Sequence, residues 1–388
     1  MEAAIVTGVA DDLNDQQREA VQAVRGPVCI LAGAGTGKTT TITHRIANQV
    51  ATGAFTADDI LAVTFTEKAA REMGIRLARL GVEGVRARTF HAEALAQFRR
   101  FSSETPEILG AKGQLLHAIA RNLPPPYKFM PLRDLATEIE WAKNRRLGPD
   151  RYLESLDDHE PPIPPDLMYR VFVEYERRKN KAGRIDFEDL LEGTLRLLTE
   201  DERAASIVRA RYRAFTVDEY QDVNLLEQSL LEVWTGRRAD VCVVGDDYQS
   251  IFGFTGASPH YLLSFPDRNP GCRVIRLEHN YRSTPEVLAV ANRLSPAMHG
   301  SSKTLVATRT PGPPPTFRGF ATGAEEVAWI VAETRQLHES EALPWEQIAI
   351  LHRINGRSED FEEAFSQARI PFQVRDGAFL RRPAARTV

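Results

Sequence analysis

The chain has little cysteine, no excess of positive charge and no apolar run long enough to span a membrane. Its three cysteines, Cys29, Cys242 and Cys272, stand far apart in 388 residues, and two of them sit inside apolar runs. A disulfide framework and a cysteine-ligated metal are thereby disfavoured, and buried thiols in a reducing compartment are expected. Lys and Arg number 49 against 53 Asp and Glu, a net charge of −4, so any contact with nucleic acid must come from local surfaces. The N-terminal MEAAIVTGVADD lacks the basic start and apolar core of a signal peptide. With no membrane-length run, a cytoplasmic protein without a membrane partner is expected. Hydrophobic residues make up 43% of the chain, enough at this length for two or three domains with sizeable cores.

What is present is organised around LAGAGTGKTT, Leu31 to Thr40, which follows an apolar run and opens a helical stretch. Small residues there let consecutive backbone N–H groups turn inward on a phosphate, and the helix adds the positive end of its dipole. The candidate nucleotide contacts are Ala32, Gly33, Ala34, Gly35, Thr36 and Gly37, followed by Lys38, Thr39 and Thr40. In such a loop the lysine reaches the β- and γ-phosphates and the next hydroxyl holds Mg²⁺, so the pattern predicts ATP with Mg²⁺ as ligands. Upstream, LNDQQREAVQAV suits an amphipathic helix capped at Asn14 or Asp15, and Gln17 carries an amide able to read the adenine edge.

Strand, loop and helix then alternate, which predicts an α/β fold with a parallel sheet and ligand chemistry at the carboxyl ends of its strands. Thr64 and Phe65 end one strand, and Thr89 and His91 stand in a second cluster of the same mixture. Hydroxyls suit phosphate and the phenyl ring suits a base, so these residues fit a nucleic-acid strand, or equally a capped helix with a buried ring. Between Leu109 and Lys181 the pattern turns helical, interrupted by proline runs that read as stiff connections. Its basic residues, Lys143, Arg145, Arg146, Arg170, Arg177, Arg178, Lys179, Lys181 and, just beyond, Arg184, read mostly as solvated helix faces.

A second strong signal is FTVDEYQDVN, where an apolar strand delivers Asp218 and Glu219 to its end. With a phosphate loop upstream, the first acid completes the metal shell with Thr39 and the second orients and deprotonates a water. Further strands lead to Gln249, an amide suited to sensing a γ-phosphate, and to Phe252 and Phe254, whose rings can stack on bases or equally fill a core. In LEHNYRST, Tyr281 can stack on adenine and Arg282 can clamp a phosphate with its fork.

Taken together these segments resemble the UvrD/PcrA/Rep family of superfamily 1 DNA helicases, from Leu13 to about Gly377. LNDQQ is similar to the family's Q motif, AGAGTGKT to its Walker A, and AVTFTEKAAREM and RTFHAEAL to motifs Ia and Ib. IDFEDLL matches the return into the first motor domain. VDEYQD resembles Walker B, GDDYQSIFGFTGA motif III and EHNYRST motif IV, and Ile348 to Val374 looks like a later strand and helix.

The resemblance implies a P-loop NTPase with a RecA-like motor domain over residues 1–108 and 183–274, a helical insertion at 109–182 and part of a second RecA-like domain at 275–388. It implies ATP hydrolysis by Lys38, Asp218, Glu219, Gln249 and Arg282, with Gln17 and Tyr281 on the adenine. It further implies 3′ to 5′ movement on single-stranded DNA in repair or replication, with Thr64, Phe65, Thr89, His91, Phe252 and Phe254 on the DNA track. The chain departs from the family at Thr40 and Thr255, where arginine is usual, and at Phe252 and Phe254, where tyrosine and tryptophan are usual. It also stops at Val388 before the family's later motifs. The alternative expectation is a truncated, split or degraded ATP- and DNA-binding module, weakly active unless a partner chain completes the second domain. An unrelated P-loop kinase or transporter ATPase leaves the Gln249 and Arg282 segments without a purpose.

Overall fold

The computed structural model describes residues 13–103, 106–298 and 300–374. The stretch MEAAIVTGVADD and the downstream limit at Gly377 lie outside them. Residues through Pro313 form one compact unit and those from Pro314 a second.

The first unit is built on a six-stranded, all-parallel sheet: β1 (Val28–Ala32), β2 (Ile60–Thr64), β3 (Arg86–Thr89), β4 (Ala214–Val217), β5 (Val241–Gly245) and β6 (Arg273–Leu277). Their order is β3-β2-β4-β5-β1-β6. β1, β2, β4 and β5 are buried along their whole length, which is why they read as continuous apolar runs rather than alternating ones. Successive residues of β1 enter different cores: Cys29 and Leu31 join Phe90, Phe215 and Trp234 on one face, while Ile30 joins Ile42, Ile46 and Met73 on the other. Cys29 and Cys242 are buried and Cys272 is half-buried, all three as free thiols. Burial pushes the Cys29 thiol well above its ordinary range, so it is chemically quiet.

Helix α1 (Asp15–Gln22) starts at a reciprocal cap in which the Asn14 side chain accepts from the Gln17 N–H and Gln17 returns a bond to the Asn14 N–H. Its C-terminal carbonyls and those just beyond are met by α2 (Lys38–Ala51), whose Arg45, Asn48 and Gln49 donate to Ala23, Val21 and Val24. The helix that carries the phosphate loop is thereby fastened to the segment that carries Gln17. Helices α3 (Glu67–Arg79) and α4 (Phe90–Phe101) follow β2 and β3 directly.

Helices between Gly113 and Lys181 enclose their own core around Trp141, Tyr152, Phe172 and Tyr175. Two basic residues here depart from the solvated faces expected of them. Lys179 is buried and Lys143 partly so, and both pair with Asp186, Asp189 and Glu176, which neutralises the one carboxylate cluster compact enough to suggest a metal among the described residues.

The helix Leu132–Asn144 ends against the turn Gly253–Thr255, where Asn144 Nδ2 donates to the Thr255 carbonyl at 2.8 Å. The contact requires Gly256: its φ is +91°, and a Cβ there would lie 3.2 Å from the Asn144 Cβ and 3.3 Å from the Trp141 carbonyl oxygen. Gly256→Ala is expected to cost about 1–3 kcal/mol, read as a lower urea midpoint; an unchanged midpoint would show that the turn can move away.

In the second unit the helices Gly323–Glu341 and Ser358–Gln367 form, but Ile348–Leu351, which opens the stretch where the family resemblance implied a strand and then a helix, is not a strand. A strand needs a hydrogen-bonding neighbour, and this run has none among the described residues; Leu351 is 93% exposed.

Candidate functional site

The carboxyl ends of β1, β4 and β5 converge on one cavity of about 530 Å³, lined by Gln17, Ala34, Gly35, Gly37, Lys38, Thr39, Thr40, Arg76, Glu219, Gln249, Tyr281 and Arg282. The loop leaving β1 depends on glycine where the chain turns left-handed, at Gly35 (φ +72°) and Gly37 (φ +82°). At Gly35 a Cβ would collide with Arg282 and Asn280 as well. The segment after β6 closes on this loop: the Tyr281 N–H donates to Gly35 O at 2.8 Å and Asn280 Nδ2 to Ala34 O at 2.6 Å. Asn14 Nδ2 donates to the Tyr281 hydroxyl at 2.7 Å, tying the N-terminal helix to the same flap.

The sequence candidates divide into those that face the cavity and those that build it. Ala32 and Gly33 are buried behind it, and Thr36 closes the loop by donating to Gly33 O at 2.8 Å. Gln17 reaches the cavity but spends its amide on the loop, donating to Thr36 O at 3.0 Å while accepting from Asn14 N–H. Arg282 is exposed at the rim and its guanidinium has no hydrogen-bond partner among the described residues. Arg76 joins the rim from α3, a position that its helix-face pattern did not single out.

Asp218 ends β4 and is 8% exposed. Burial first, and then the charge of Glu219, push its carboxyl up to about 6, against the pull of Lys38. Glu219 follows in the left-handed region at φ +52°, a strain of about 1–2 kcal/mol for a residue with a Cβ. That turn presents its carboxylate to Lys38 Nζ at 2.7 Å and to Gln221 Nε2 at 3.0 Å. Gln221 also accepts from the Asp246 N–H at 3.0 Å, so one amide spans the ends of β4 and β5.

The six candidates for a nucleic-acid track separate by exposure. Phe65 stacks on Phe252 at 5.5 Å between ring centroids, and Phe252 lies 6.1 Å from Phe254, a continuous aromatic strip in which Phe65 is 40% and Phe254 57% exposed. Thr64 and Thr89 are buried: the first donates to Thr66 O, and the second caps α4 by accepting from the Ala92 N–H. His91 sits edge-on to Phe187 at 5.7 Å, and burial, followed by the charge of Lys112, lowers its pKa to about 4. It is neutral at pH 7 and offers a phosphate no charge.

Comparison with known proteins gives the family of the chain. Residues 13–270 match the UvrD/REP helicase N-terminal domain and residues 275–388 the UvrD-like helicase C-terminal domain. The chain is 45% identical over 387 residues to the ATP-dependent DNA helicase UvrD2 of Mycobacterium tuberculosis, covering 94% of this chain and 55% of that protein. It is 33% identical to UvrD1 of the same species, covering 97% and 52%, and 31% identical to PcrA of Leuconostoc citreum, covering 96% and 51%. The chain thus spans about half the length of the curated relatives it matches.

Proposed function

The chain belongs to the UvrD/REP helicase family, and from that premise we propose that it binds ATP with Mg²⁺ at the Lys38 loop and hydrolyses it when single-stranded DNA lies on the aromatic strip. The observation that carries this reading is the short path between the two sites. Gln249 lines the nucleotide cavity at the end of one short turn, and Phe252 and Phe254 follow three and five residues later at the next. A change at the γ-phosphate therefore reaches the DNA-facing rings through a few bonds of backbone.

The site has the donors that the nucleotide needs. The cavity takes a nucleotide in volume, the loop offers backbone N–H groups, and Thr39 on the cavity wall would supply a hydroxyl for a hard cation, with a carboxylate from Asp218, which is buried and not part of the cavity lining. Bound there, Mg²⁺ neutralises charge on the phosphate oxygens. Lys38 is held by Glu219, and a polyphosphate competes for the same ammonium. Transfer of Lys38 to phosphate oxygen leaves Glu219 to hold a water and accept its proton, while Gln249 and the unpartnered Arg282 face the phosphates. Beyond its two loop bonds Gln17 keeps one amide hydrogen and one carbonyl lone pair with which to read adenine, and Tyr281 offers its ring, 45% exposed, for stacking.

On this reading residues 1–108 and 183–274 form the first motor domain, 109–182 its insertion and 275–388 part of the second. Translocation runs 3′ to 5′, in the cytoplasm, in the service of DNA repair or replication. The DNA contact has its own test. Phe254→Ala is expected to weaken binding of an oligothymidine by about 1–3 kcal/mol, measured by fluorescence anisotropy. Affinity for ATP in the absence of DNA should not change. Unaltered DNA affinity would place the strand elsewhere.

A further inference from the structure

The nucleotide cavity and the aromatic strip leave the buried charge cluster around Lys303 unexplained. Lys303 is 8% exposed and contributes no atom to the cavity, yet its ammonium lies between two adjacent buried aspartates, bonding Asp246 and, at 2.6 Å, Asp247. It also lies 4.1 Å from the centre of the Tyr248 ring. The neighbouring segment grips the same turn. Ser301 donates to Asp247 from both its N–H and its hydroxyl at 2.7 Å, and the Ser295 and Tyr248 hydroxyls are 3.0 Å apart. Gly300 abuts the Asp247 carboxylate closely enough that a Cβ there would collide with it. Burial alone would raise the Asp247 carboxyl; the bonds from Lys303 and Ser301 overcome it and hold the group below its ordinary value.

The consequence lies at Asp246. Its other carboxylate oxygen accepts from Gln249 Nε2 at 2.6 Å, and its N–H donates to Gln221, whose own Nε2 bonds Glu219. An ionised carboxylate only accepts, so this contact decides the orientation of the Gln249 amide: nitrogen toward Asp246, carbonyl oxygen away from it. Were Asp246 to swing away, that orientation would be lost. Two like charges on consecutive buried residues repel, and Lys303 is the cation placed to hold both.

We propose that Lys303 is a positioning residue for nucleotide hydrolysis, acting through Asp246 to hold the Gln249 amide at the rim of the cavity. The proposal rests on the ATPase reading above. It makes the seating of Ser301 and Lys303 a condition of turnover, because these residues reach the site through their hold on Asp246 and Asp247.

The test is steady-state ATP hydrolysis by the 388-residue chain with saturating single-stranded DNA, for wild type, Lys303→Met, Gln249→Ala and the double variant. Lys303→Met is expected to lower kcat about tenfold or more with KM within about threefold. In the Gln249→Ala background the same change is expected to cost less than about twofold, since its route is already cut. If Lys303→Met does not fold, Lys303→Met/Asp247→Asn removes one charge of each sign, leaves Asp246 without its cation and carries the same expectations. Wild-type kcat in the lysine variant, a rise in KM alone, or an equal loss in the Gln249→Ala background overturns the proposal. A wild-type chain with no DNA-stimulated hydrolysis overturns the functional reading and this proposal together; a hydrolysing wild type with an unaffected lysine variant overturns this proposal alone.

Discussion

Glu219→Gln is expected to lower ATP turnover by about 10²- to 10⁴-fold while ATP binds as tightly as to wild type or more tightly. The direction of the binding change follows from the 2.7 Å pair between Glu219 and Lys38. A glutamine keeps the shape and can still accept from Gln221, but it no longer holds the ammonium that phosphate must capture. Lys38→Ala should do the opposite at the binding step, removing the cation and weakening affinity and turnover together. A Glu219→Gln variant that lost affinity instead would mean that the carboxylate supports the loop rather than the water. Turnover in single-turnover quench-flow and affinity by calorimetry separate these outcomes.

The second large effect is on stability. Asp218→Asn is expected to abolish metal-dependent hydrolysis and yet to stabilise the free protein by up to about 3 kcal/mol at neutral pH. The sign follows from the direction of the shift. A carboxyl raised from 3.8 to about 6 binds its proton more tightly in the folded chain, so stability falls as pH rises between those values, and above them the full cost of burying the charge remains. A neutral amide removes that cost and can still accept from the Glu219 N–H, as Asp218 does at 3.0 Å. Asp222, also pushed up to about 6, and Glu227, to about 7, add to the same pH dependence through burial. With ATP and Mg²⁺ at a thousandfold excess over the wild-type Kd the order should reverse, because the wild type gains about 4.1 kcal/mol and the variant does not. For the same reason kcat/KM should fall as pH drops through about 6. Urea midpoints of the two proteins, with and without nucleotide, check both signs; a less stable Asp218→Asn variant in the absence of ligand would refute the assignment of Asp218 as a strained metal carboxylate.

These expectations draw on features that differ in how visible they are in the sequence. The phosphate loop and the acids after β4 are legible because each is a local device: an apolar run buried on both faces, then a turn whose chemistry is written in consecutive residues. The aromatic strip was legible in its members but not in its continuity, since Phe65 meets Phe252 only because β2 and β5 stand on either side of β4. Thr64 and Thr89 show the limit of reading hydroxyls, because capping and phosphate binding ask for the same group at the same place. Lys143 and Lys179 show the limit of reading charge. Their basic neighbours suggested a solvated face, and only the fold brings Lys143 to Asp186 and Asp189, 43 and 46 residues later, at the start of the helix that follows Lys179. Ile348–Leu351 has the composition of a strand, but composition does not supply the neighbour to which a strand must bond. Lys303 carried no local signal, since its partners lie more than fifty residues earlier.

The central claim is that the Lys38 site turns over ATP in response to DNA on the aromatic strip. The most direct measurement is the ATPase rate of the purified chain with Mg²⁺, titrated with oligothymidine and compared with Phe254→Ala. The account predicts a rate that rises saturably with oligothymidine for the wild type, with the half-maximal concentration displaced upward by the substitution in step with its weaker binding. A rate indifferent to oligothymidine, or stimulated equally in both proteins at the same concentration, would contradict it.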